Sequence, residues 1–396
     1  MSRLPVQHAV PALVLAYFAY YGVLGIFIPY LGLFLDGRGL SSYDIGVLLA
    51  LVTATRIVGP SLWAAVAEQQ GRPLRIMRLG AVLATLGWLS SFFDQGFWLL
   101  LLGFSIFSFF WTAILPQLEV TTFHFLNDNT SRYSRIRSSG SVGYIVLVLV
   151  GGVLLQSFGT EALPYGAALL MLLLIGSLFL LPELTAPTES STEKKGFGRL
   201  LTQPVFLCFM GAAFILQMSF APFYGFFTLY ARDLGYSGIA TGLFISLAVL
   251  AEIVAFFWMG ALLKQRSYRL VLSCCYGLTM LRWLMLAYLA HSPLWLGLSM
   301  LLHAGSFAIA HSCAMQFVQH YFPKALRSRG QALYAGVIFG GGGAVGAYAA
   351  GILWQDGAGA THTFVVAAAT AGVAMVCALC LPAQVHAEPL ERAADR

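Results

Sequence analysis

Long apolar runs separated by short polar segments follow one another along almost the whole chain. A run of about 18 or more residues with few charges is long enough to cross roughly 30 Å of hydrocarbon as an α-helix. The pattern predicts about twelve such helices. The predicted spans are residues 9–35, 43–67, 76–93, 97–123, 138–158, 162–182, 204–231, 237–263, 270–290, 293–320, 331–354 and 361–381. The sequence therefore predicts an all-α membrane protein with twelve transmembrane helices, whose solvent is largely the lipid bilayer.

The composition agrees with this interpretation. Hydrophobic residues make up 59% of the 396 residues, charged residues make up 10%, and the mean hydropathy is +0.80. Soluble domains carry about a quarter charged residues, so a soluble globule of this composition could not cover its surface with polar groups. All six cysteines fall inside predicted spans without metal-ligand spacing, and we interpret them as small packing residues.

Positive charge is distributed unevenly between the predicted loops. The loops after spans 2, 4, 6, 8 and 10 each hold three basic residues, whereas the odd-numbered loops hold only Arg38 and Arg232. The basic residues of the even-numbered loops are Arg72, Arg75, Arg78, Arg132, Arg135, Arg137, Lys194, Lys195, Arg199, Lys264, Arg266, Arg269, Lys324, Arg327 and Arg329. Because such residues favour the cytoplasmic side, both termini are predicted to be cytoplasmic, in a bacterial inner membrane. The net charge of +6 reflects this topology, and no nucleic-acid partner is expected.

A polar linker, ELTAPTESSTEKKGFGR at residues 183–199, divides the chain into two similar halves. GLSSYDIGVLLALVTATRIVG, from Gly39, aligns with GYSGIATGLFISLAVLAEIVA, from Gly235, at an offset of 196 residues, which places Arg56 opposite Glu252. Two six-helix repeats joined by a linker are the plan of the major facilitator transporters, whose substrate site lies near the bilayer midplane between the halves. The predicted parts are a bundle at 1–182, a cytoplasmic linker at 183–203, a bundle at 204–382 and a cytoplasmic tail at 383–396.

Several short motifs narrow the resemblance within that superfamily. PQLE, which ends at Glu119, and RIRSSGSVGY, at residues 135–144, resemble the lactose-permease group of proton symporters. AEIVAFF, LRWLM and LLHAGSFAIAH in the second half continue the pattern. Together with YFAYYGVLGIFIPYLGLFLDGRGLS near the start, they are most similar to the phenylpropionic acid permease branch. The resemblance covers about residues 12–382.

The resemblance implies roles for particular residues. In the lactose-permease group an acid in span four, an arginine in span five and a nearby aromatic bind substrate, and an acid, an arginine and a histidine in spans eight to ten link substrate to proton movement. The matching residues here are Glu119, Arg137 and Tyr144 for substrate, and Glu252, Arg282 and His303 for proton coupling. Two departures stand out, since Ser306 replaces the glutamate that follows that histidine and Tyr144 replaces a sugar-stacking tryptophan.

Elementary physics singles out some of the same positions. A charged side chain at the centre of a membrane helix costs about 2.5–3.5 kcal/mol, so it must face the bundle interior or a watery cavity. Arg56, Glu119, Glu252 and Arg282 qualify by depth. Burial favours the neutral form of Glu252, whereas a nearby arginine favours the carboxylate, so a site that alternates between the two can load and release a proton. The alternative is a static ion pair that joins span eight to span nine or ten.

Other residues are candidates for substrate contact. Arg56 and Arg282 suit an anionic substrate, because a guanidinium binds a carboxylate bidentately and stays charged when buried. His303 and His311 have both neutral and charged forms accessible near physiological pH, although a histidine in a span often only bridges helices. Aromatic rings that could stack on a substrate ring, or face lipid instead, are Tyr20, Tyr21, Tyr30, Trp111 and Tyr144.

Glycines and one loop have mechanical interpretations. The run Gly340 to Gly343 is unfavourable for an α-helix and predicts a hinge or a close helix crossing. The loop AEQQGRPLR is a degraded copy of the superfamily signature between spans two and three. Glu68, Gly71 and Arg72 of this loop are therefore expected to form a cytoplasmic latch that affects transport rate.

The sequence thus predicts a transporter that imports a small organic solute together with protons. An aromatic monocarboxylate such as phenylpropionate is favoured by the resemblance and by buried arginines beside many rings. A sugar or nucleoside symporter, a proton-antiport exporter and a non-transporting sensor are the alternatives. No enzyme motif of the His-Glu-x-x-His or Gly-x-Ser-x-Gly type occurs, so no enzymatic activity is predicted. No cofactor beyond the coupling proton and no metal are expected, and we expect a monomer in the lipid bilayer.

Overall fold

The computed structural model describes residues 6–93, 96–126, 130–183 and 197–383. These residues form helices joined by short turns. The helices of the first half are α1 Val6–Gly37, α2 Ser42–Gln70, α3 Pro73–Trp88, α4 Gly96–Phe125, α5 Thr130–Phe158 and α6 Ala162–Phe179. Those of the second half are α7 Pro204–Asp233, α8 Gly238–Gln265, α9 Tyr268–Leu289, α10 Pro293–Tyr321, α11 Arg327–Gly357 and α12 Ala360–Leu379. Most of the predicted linker and tail, with Lys194 and Lys195, lies outside the described residues.

Within the described residues, eleven of these helices are long and apolar enough to span a membrane. The exception is α3, which has 16 α-helical residues and tightens into a 3₁₀ turn at Leu89–Phe92. Because a 3₁₀ turn rises about 2.0 Å per residue, α3 and its extension together rise about 32 Å. The predicted number of twelve is confirmed for eleven helices, and for α3 it depends on this extension.

The helices fall into two compact units. The first unit contains Met1–Ser190 and Tyr224–Gly242, and the second contains Ser191–Phe223 and Leu243–Arg396. The segment Tyr224–Gly242, which includes the end of α7 and the start of α8, packs with the first unit. The boundaries predicted from the sequence instead assign all of α7 and α8 to the second bundle.

The same pattern of helix pairing appears inside each unit. In the first unit α1 packs on α5 and α6, and α3 packs on α4 and α6. In the second unit α7 packs on α11 and α12, and α9 packs on α10 and α12. Each pair in the second unit is the counterpart, six helices later, of a pair in the first. The packing therefore supports the pseudo-repeat that the sequence offset indicates.

Two helices of the second unit depart from α-helical geometry near candidate residues. A π-helical turn, Ala304–Ile309, follows directly after His303 in α10. A second one, Ala335–Gly342, occupies the first part of the glycine-rich stretch of α11. Beside it, a methyl group on Gly342 would lie 3.0 Å from the carbonyl oxygen of Phe214 on α7. The glycine run therefore combines an irregular helix with a close crossing of α7, as the sequence predicts. π-Helical turns occur frequently at functional sites.

The segment Tyr224–Gly242 lies against α1 and α5 with almost no space between the backbones. A methyl group on Gly152 of α5 would overlap the carbonyl oxygen of Gly238. The hydroxyl of Thr228 donates a 2.7 Å hydrogen bond to the carbonyl oxygen of Pro29, and Arg232 pairs with Asp36 at 2.5 Å. Small residues permit this packing, because van der Waals contact between backbones requires the absence of side chains.

An arginine joins the ends of three helices in the first unit. Arg38, just after α1, donates two hydrogen bonds to Glu161, which precedes α6, at 2.8 and 2.6 Å. It also donates to the carbonyl oxygens of Phe93 and Ser91, beyond α3, at 2.8 and 2.9 Å. These hydrogen bonds from Arg38 lower the pKa of the Glu161 carboxyl. The pair stabilises the end of the bundle where predicted odd-numbered loops lie.

Candidate functional site

Three helices of the second unit bring Arg282, His303 and Glu252 into one hydrogen-bonded chain. Arg282 lies on α9, His303 on α10 and Glu252 in the middle of α8. The Nη1 atom of Arg282 is 2.7 Å from Nδ1 of His303, and Nε2 of His303 is 2.6 Å from Oε1 of Glu252. Arg282 is 0% exposed and His303 4%, whereas 15% of the Glu252 side chain is exposed. The chain therefore runs from a fully buried cation to an acid at the edge of the buried region.

The donors and acceptors of this chain determine where the proton of His303 lies. A guanidinium only donates hydrogen bonds, so Nδ1 of His303 must accept the hydrogen bond from Arg282. The imidazole proton then lies on Nε2, which donates it to the Glu252 carboxylate. Protonation of Glu252 removes the negative charge that strengthens this hydrogen bond. His303 therefore links the carboxylate of Glu252 to the guanidinium of Arg282 through two hydrogen bonds.

Aromatic rings and a methionine surround the buried arginine. The guanidinium carbon of Arg282 lies 4.2 Å from the ring centroid of Phe223 and 4.7 Å from that of Trp283. Its Nη2 atom is 3.8 Å from the sulfur of Met300. Cation–π contacts of this kind stabilise a charge that has lost its water. Sequence analysis did not single out Phe223, whereas Trp283 stands next to Arg282 in the motif LRWLM.

His311 and Ser306 lie on the same helix but do not join the chain. The ring of His311 is nearly parallel to that of Phe307, and their centroids lie 6.0 Å apart. The centroid of the His311 ring lies 5.7 Å from that of Phe339. Its Nδ1 atom is buried and has no hydrogen-bond partner among the described residues. The hydroxyl of Ser306 donates to the carbonyl oxygen of His303 at 3.3 Å. His311 therefore stays a candidate for substrate contact, whereas Ser306 bonds to the backbone of its own helix.

A second cluster forms in the first unit, where α1, α4 and α5 meet. The Nε atom of Arg137 lies 3.9 Å from Oε1 of Glu119, and its Nη2 atom donates to the hydroxyl of Tyr21. The Arg137 guanidinium also lies 4.1 Å from the Tyr21 ring centroid. Tyr133, which sequence analysis missed, donates to the same Glu119 oxygen at 3.4 Å. The side chains of Arg137 and Glu119 are 30% and 39% exposed. Both groups therefore keep surface that a solute can contact.

Arg56 occupies a different environment on α2. It is half-buried, and its guanidinium forms no hydrogen bond or ion pair within the ranges that the structure describes. Its charge interacts with the phenols of Tyr20 and Tyr224. The ring of Tyr20 stacks on Trp111 with centroids 4.7 Å apart and 12° between the planes. The indole N–H of Trp111 is buried and has no acceptor in the described part of the chain. A guanidinium, a hydrogen-bond donor and two stacked rings thus occur in one region.

Tyr30 and the backbone of Tyr144 join α1 to α5. The hydroxyl of Tyr30 donates to the carbonyl oxygen of Val148 on α5 at 2.7 Å, and Tyr30 is 1% exposed. The backbone of Tyr144 packs on α1, where a methyl group on Gly25 would lie 2.6 Å from the Tyr144 carbonyl oxygen. The structure gives Tyr30 a helix-bridging role, and a substrate role for either tyrosine stays a prediction.

The predicted latch is a tight turn between α2 and α3. Gly71 adopts a left-handed conformation with φ 61° and ends α2, and its N–H bonds to the carbonyl oxygens of Ala67 and Glu68. A left-handed residue at this position is usually glycine, because a side chain is strained there. Arg72 directly precedes α3, which begins with Pro73. The turn geometry explains the glycine, whereas a gating role for Glu68, Gly71 and Arg72 stays a prediction.

Comparison with known proteins gives a consistent result. Residues 11–366 match the MFS_1 like family. The chain is 28% identical over 358 residues to the probable 3-phenylpropionic acid transporter of Escherichia coli (strain K12), a match that covers 87% of this chain and 90% of that protein. It is 24% identical over 351 residues to the maltose permease of Geobacillus stearothermophilus, with 87% and 88% covered.

A solved structure supports the fold. The crystal structure of a variant of the nucleoside transporter NupG matches with a TM-score of 0.85 at 16% sequence identity, and the match covers 94% of this chain and 99% of that chain. The resemblance to major facilitator transporters is confirmed, and these relatives are transporters rather than enzymes. Because the family match extends over most of its length, this chain belongs to the MFS_1 like family and is a multi-pass membrane transporter of the MFS type.

Proposed function

We propose that this protein is a proton-coupled symporter of a small organic anion, with an aromatic monocarboxylate such as 3-phenylpropionate as its substrate. The observation that carries the proposal is the chain from Arg282 through His303 to Glu252. It links one acid to a buried cation through a single histidine. A proton that binds Glu252 from one side of the membrane and leaves on the other can drive a change between two packings of these helices.

The first unit supports an aromatic anion as the solute. Arg56 has no anionic partner in the described part of the chain, and Tyr20 and Trp111 form a stacked pair in the same region. A guanidinium can hold a carboxylate through two hydrogen bonds, and flat rings can stack on a phenyl group. The name of the curated Escherichia coli relative points to the same class of solute.

A neutral hydroxylated solute is the second candidate, and a specific observation favours it. Glu119 is 39% exposed and negatively charged beside Arg137, an arrangement that accepts hydrogen bonds from hydroxyl groups and repels a carboxylate. The curated relative from Geobacillus stearothermophilus is named a maltose permease. A sugar or nucleoside would use Glu119 and Arg137, whereas an aromatic acid would depend on Arg56.

Counterflow in proteoliposomes separates these candidates. Vesicles loaded with unlabelled 3-phenylpropionate, maltose or a nucleoside are diluted into the labelled compound, and uptake is followed. We expect 3-phenylpropionate to exchange, with Arg56→Gln raising its KM at least about tenfold, since a charged hydrogen bond contributes about 1.5–3 kcal/mol. Arg135→Gln is the matched control, because Arg135 is exposed on α5. Exchange of maltose or the nucleoside alone, with sensitivity to Glu119→Gln, would replace the proposal by the second candidate.

Orientation and location form part of the same proposal. The clustering of arginine and lysine in even-numbered loops supports cytoplasmic termini in a bacterial inner membrane. A carboxy-terminal fusion to green fluorescent protein should fluoresce, and a fusion to periplasmic alkaline phosphatase should be inactive. The opposite pair of results would reverse the proposed orientation.

A further inference from the structure

A groove of about 710 Å³ opens on the first unit between the start of α3 and the end of α6. Arg72, Arg75 and Arg78 line it on the α3 side, and Phe179 and Glu183 line it on the α6 side. Arg72 directly precedes α3, and Arg75 and Arg78, three residues apart on α3, share one face of the helix. Three positive charges thus face one negative charge. Arg72 also belongs to the predicted latch, whereas none of the residues proposed for proton coupling or substrate contact lines this groove.

The three arginines are engaged to different extents. Arg78 donates to the carbonyl oxygens of Leu178 and Leu181 at 3.1 and 2.8 Å, and it pairs with Glu183. The Arg78 guanidinium therefore stabilises the carboxy-terminal end of α6, where a cation interacts favourably with the unpaired carbonyl groups. Arg72 and Arg75 are exposed, and their guanidinium groups form no hydrogen bond or ion pair within the described ranges. The groove therefore presents two available guanidinium groups at one end.

The rest of the groove is apolar and continues along α3. Leu79 is 45% exposed, Val82 36% and Leu86 55%, and Phe179 on α6 is 59% exposed. From Arg75 to Leu86 the helix rises about 16 Å, which is about half of the roughly 30 Å hydrocarbon core. The surface is therefore basic at one end and apolar over the depth of one bilayer leaflet.

We propose that this groove, defined by Arg72, Arg75, Leu79, Val82 and Phe179, binds an anionic phospholipid. Its phosphate is held by Arg72 and Arg75, and one acyl chain lies along Leu79 and Val82. A phosphate matches two guanidinium groups in charge and in hydrogen-bond geometry. A soluble anion would leave the apolar part of the groove unused. The positive-inside pattern predicts that this end of α3 faces the cytoplasmic leaflet, where basic pockets between helices bind lipid head groups.

Lipid binding can be measured on the full-length protein in a mild non-ionic detergent by native mass spectrometry. The titrants are phosphatidylglycerol, zwitterionic phosphatidylethanolamine and inorganic phosphate. The test variant is Arg72→Gln/Arg75→Gln. The control is Arg266→Gln/Arg269→Gln, which removes two exposed arginines at the same spacing before and within the start of α9. Melting temperatures within about 2 °C of the wild type show that both variants are folded.

We expect phosphatidylglycerol to bind the wild type and the control equally, and the test variant about 30-fold more weakly, since each arginine near a lipid surface contributes about 1 kcal/mol. Arg75→Gln alone should weaken binding about fivefold, which keeps the test informative if the double variant is unstable. Equal losses in both double variants would overturn the proposal, because the effect would then be one of net charge. Binding of phosphatidylethanolamine as tight as that of phosphatidylglycerol, or competition by inorganic phosphate, would overturn it as well.

Discussion

Removal of Arg282 alone should destabilise the protein more than removal of both Arg282 and Glu252, the two charged ends of the hydrogen-bonded chain through His303. Arg282→Met keeps an unbranched side chain but leaves the Glu252 carboxylate without its cation. Glu252→Gln leaves a guanidinium that is 0% exposed without its anion. Loss of one partner of a buried pair costs about 3–5 kcal/mol, because an uncompensated charge stays in the interior. The double variant contains neither charge and avoids that cost.

The magnitude follows from the contacts. Arg282 makes a charged hydrogen bond to His303 at 2.7 Å, worth about 1.5–3 kcal/mol. It also makes two cation–π contacts at 4.2 and 4.7 Å, each worth about 0.5–2 kcal/mol. We therefore expect Arg282→Met to cost about 3–5 kcal/mol. Glu252 is 15% exposed, so we expect Glu252→Gln to cost only about 1–2 kcal/mol. The double variant should cost about 2 kcal/mol, which gives a coupling energy of at least about 2 kcal/mol.

Thermal unfolding of the purified protein in detergent measures this difference. At about 2 °C per kcal/mol for a chain of this size, Arg282→Met should lower the apparent melting temperature by about 6–10 °C, and the double variant by about 4 °C. Arg266→Gln, an exposed arginine, is the control and should stay within about 1 °C. If the losses of the two single variants simply add in the double variant, the charges do not interact through His303 and the reasoning is refuted.

Three further predictions concern the first unit. Gly152→Ala should destabilise the protein by about 1–3 kcal/mol, because its methyl group would overlap the Gly238 carbonyl oxygen. Gly176→Ala is the control and should be neutral or stabilising, because its methyl group would meet nothing within 4 Å. Equal melting temperatures of the two variants would contradict this packing. The pKa of Glu161 is lowered by its hydrogen bonds from Arg38, so its stabilisation is present above the unfolded pKa near 4.5 and is lost as pH falls through the folded pKa. Because the Glu161 side chain is 56% exposed, this contribution to the free energy of unfolding should stay below about 1 kcal/mol. Glu161→Gln should remove the corresponding pH dependence of unfolding. An unchanged pH dependence in this variant would argue against the ion pair with Arg38. Trp111→Ala should raise the KM for 3-phenylpropionate about two- to tenfold. It should raise the KM for hexanoate less, because hexanoate has no ring to stack on the indole. Equal increases for both acids would show that Trp111 acts through packing alone.

The residues that the sequence identified best were charges stranded in apolar runs. Glu252, Arg282 and His303 stand out because a polar group in a membrane helix needs a partner, and the structure brings these three together. The order of helices and the pseudo-repeat were equally accessible, because hydrophobic run length and the offset between halves depend only on local sequence. Arg137 and Glu119, which the resemblance assigned together to substrate binding, also lie close together, at 3.9 Å.

Aromatic partners were harder to recognise. Tyr133 and Phe223 contact Glu119 and Arg282, but with rings making up 14% of the chain, nothing in their sequence context distinguishes them from rings that face lipid. Tyr30 looked like a candidate for stacking, whereas its hydroxyl bonds to the backbone of α5. Which ring faces a charged group depends on helix rotation, which tertiary packing decides.

Long-range packing accounts for the other differences. The segment Tyr224–Gly242 joins the first unit because glycines on both sides permit backbone contact, and hydropathy carries no information about such pairing. The conversion of α3 to a 3₁₀ turn near Leu89 is similarly invisible in an apolar run. The sequence contains the arginines that line the groove beside α6, but there they predict only the orientation of the protein in the membrane.

The central claim is that Glu252 carries the proton that drives solute movement, and one measurement tests it most directly. Proteoliposomes that contain a pH-sensitive dye receive labelled 3-phenylpropionate under an imposed difference of about one pH unit, which for one proton per solute supports about tenfold accumulation. We expect the wild type to accumulate solute while the lumen acidifies, and Glu252→Gln to exchange solute without accumulation or acidification. Accumulation by Glu252→Gln equal to that of the wild type, or wild-type uptake that does not respond to the pH difference, would contradict the claim.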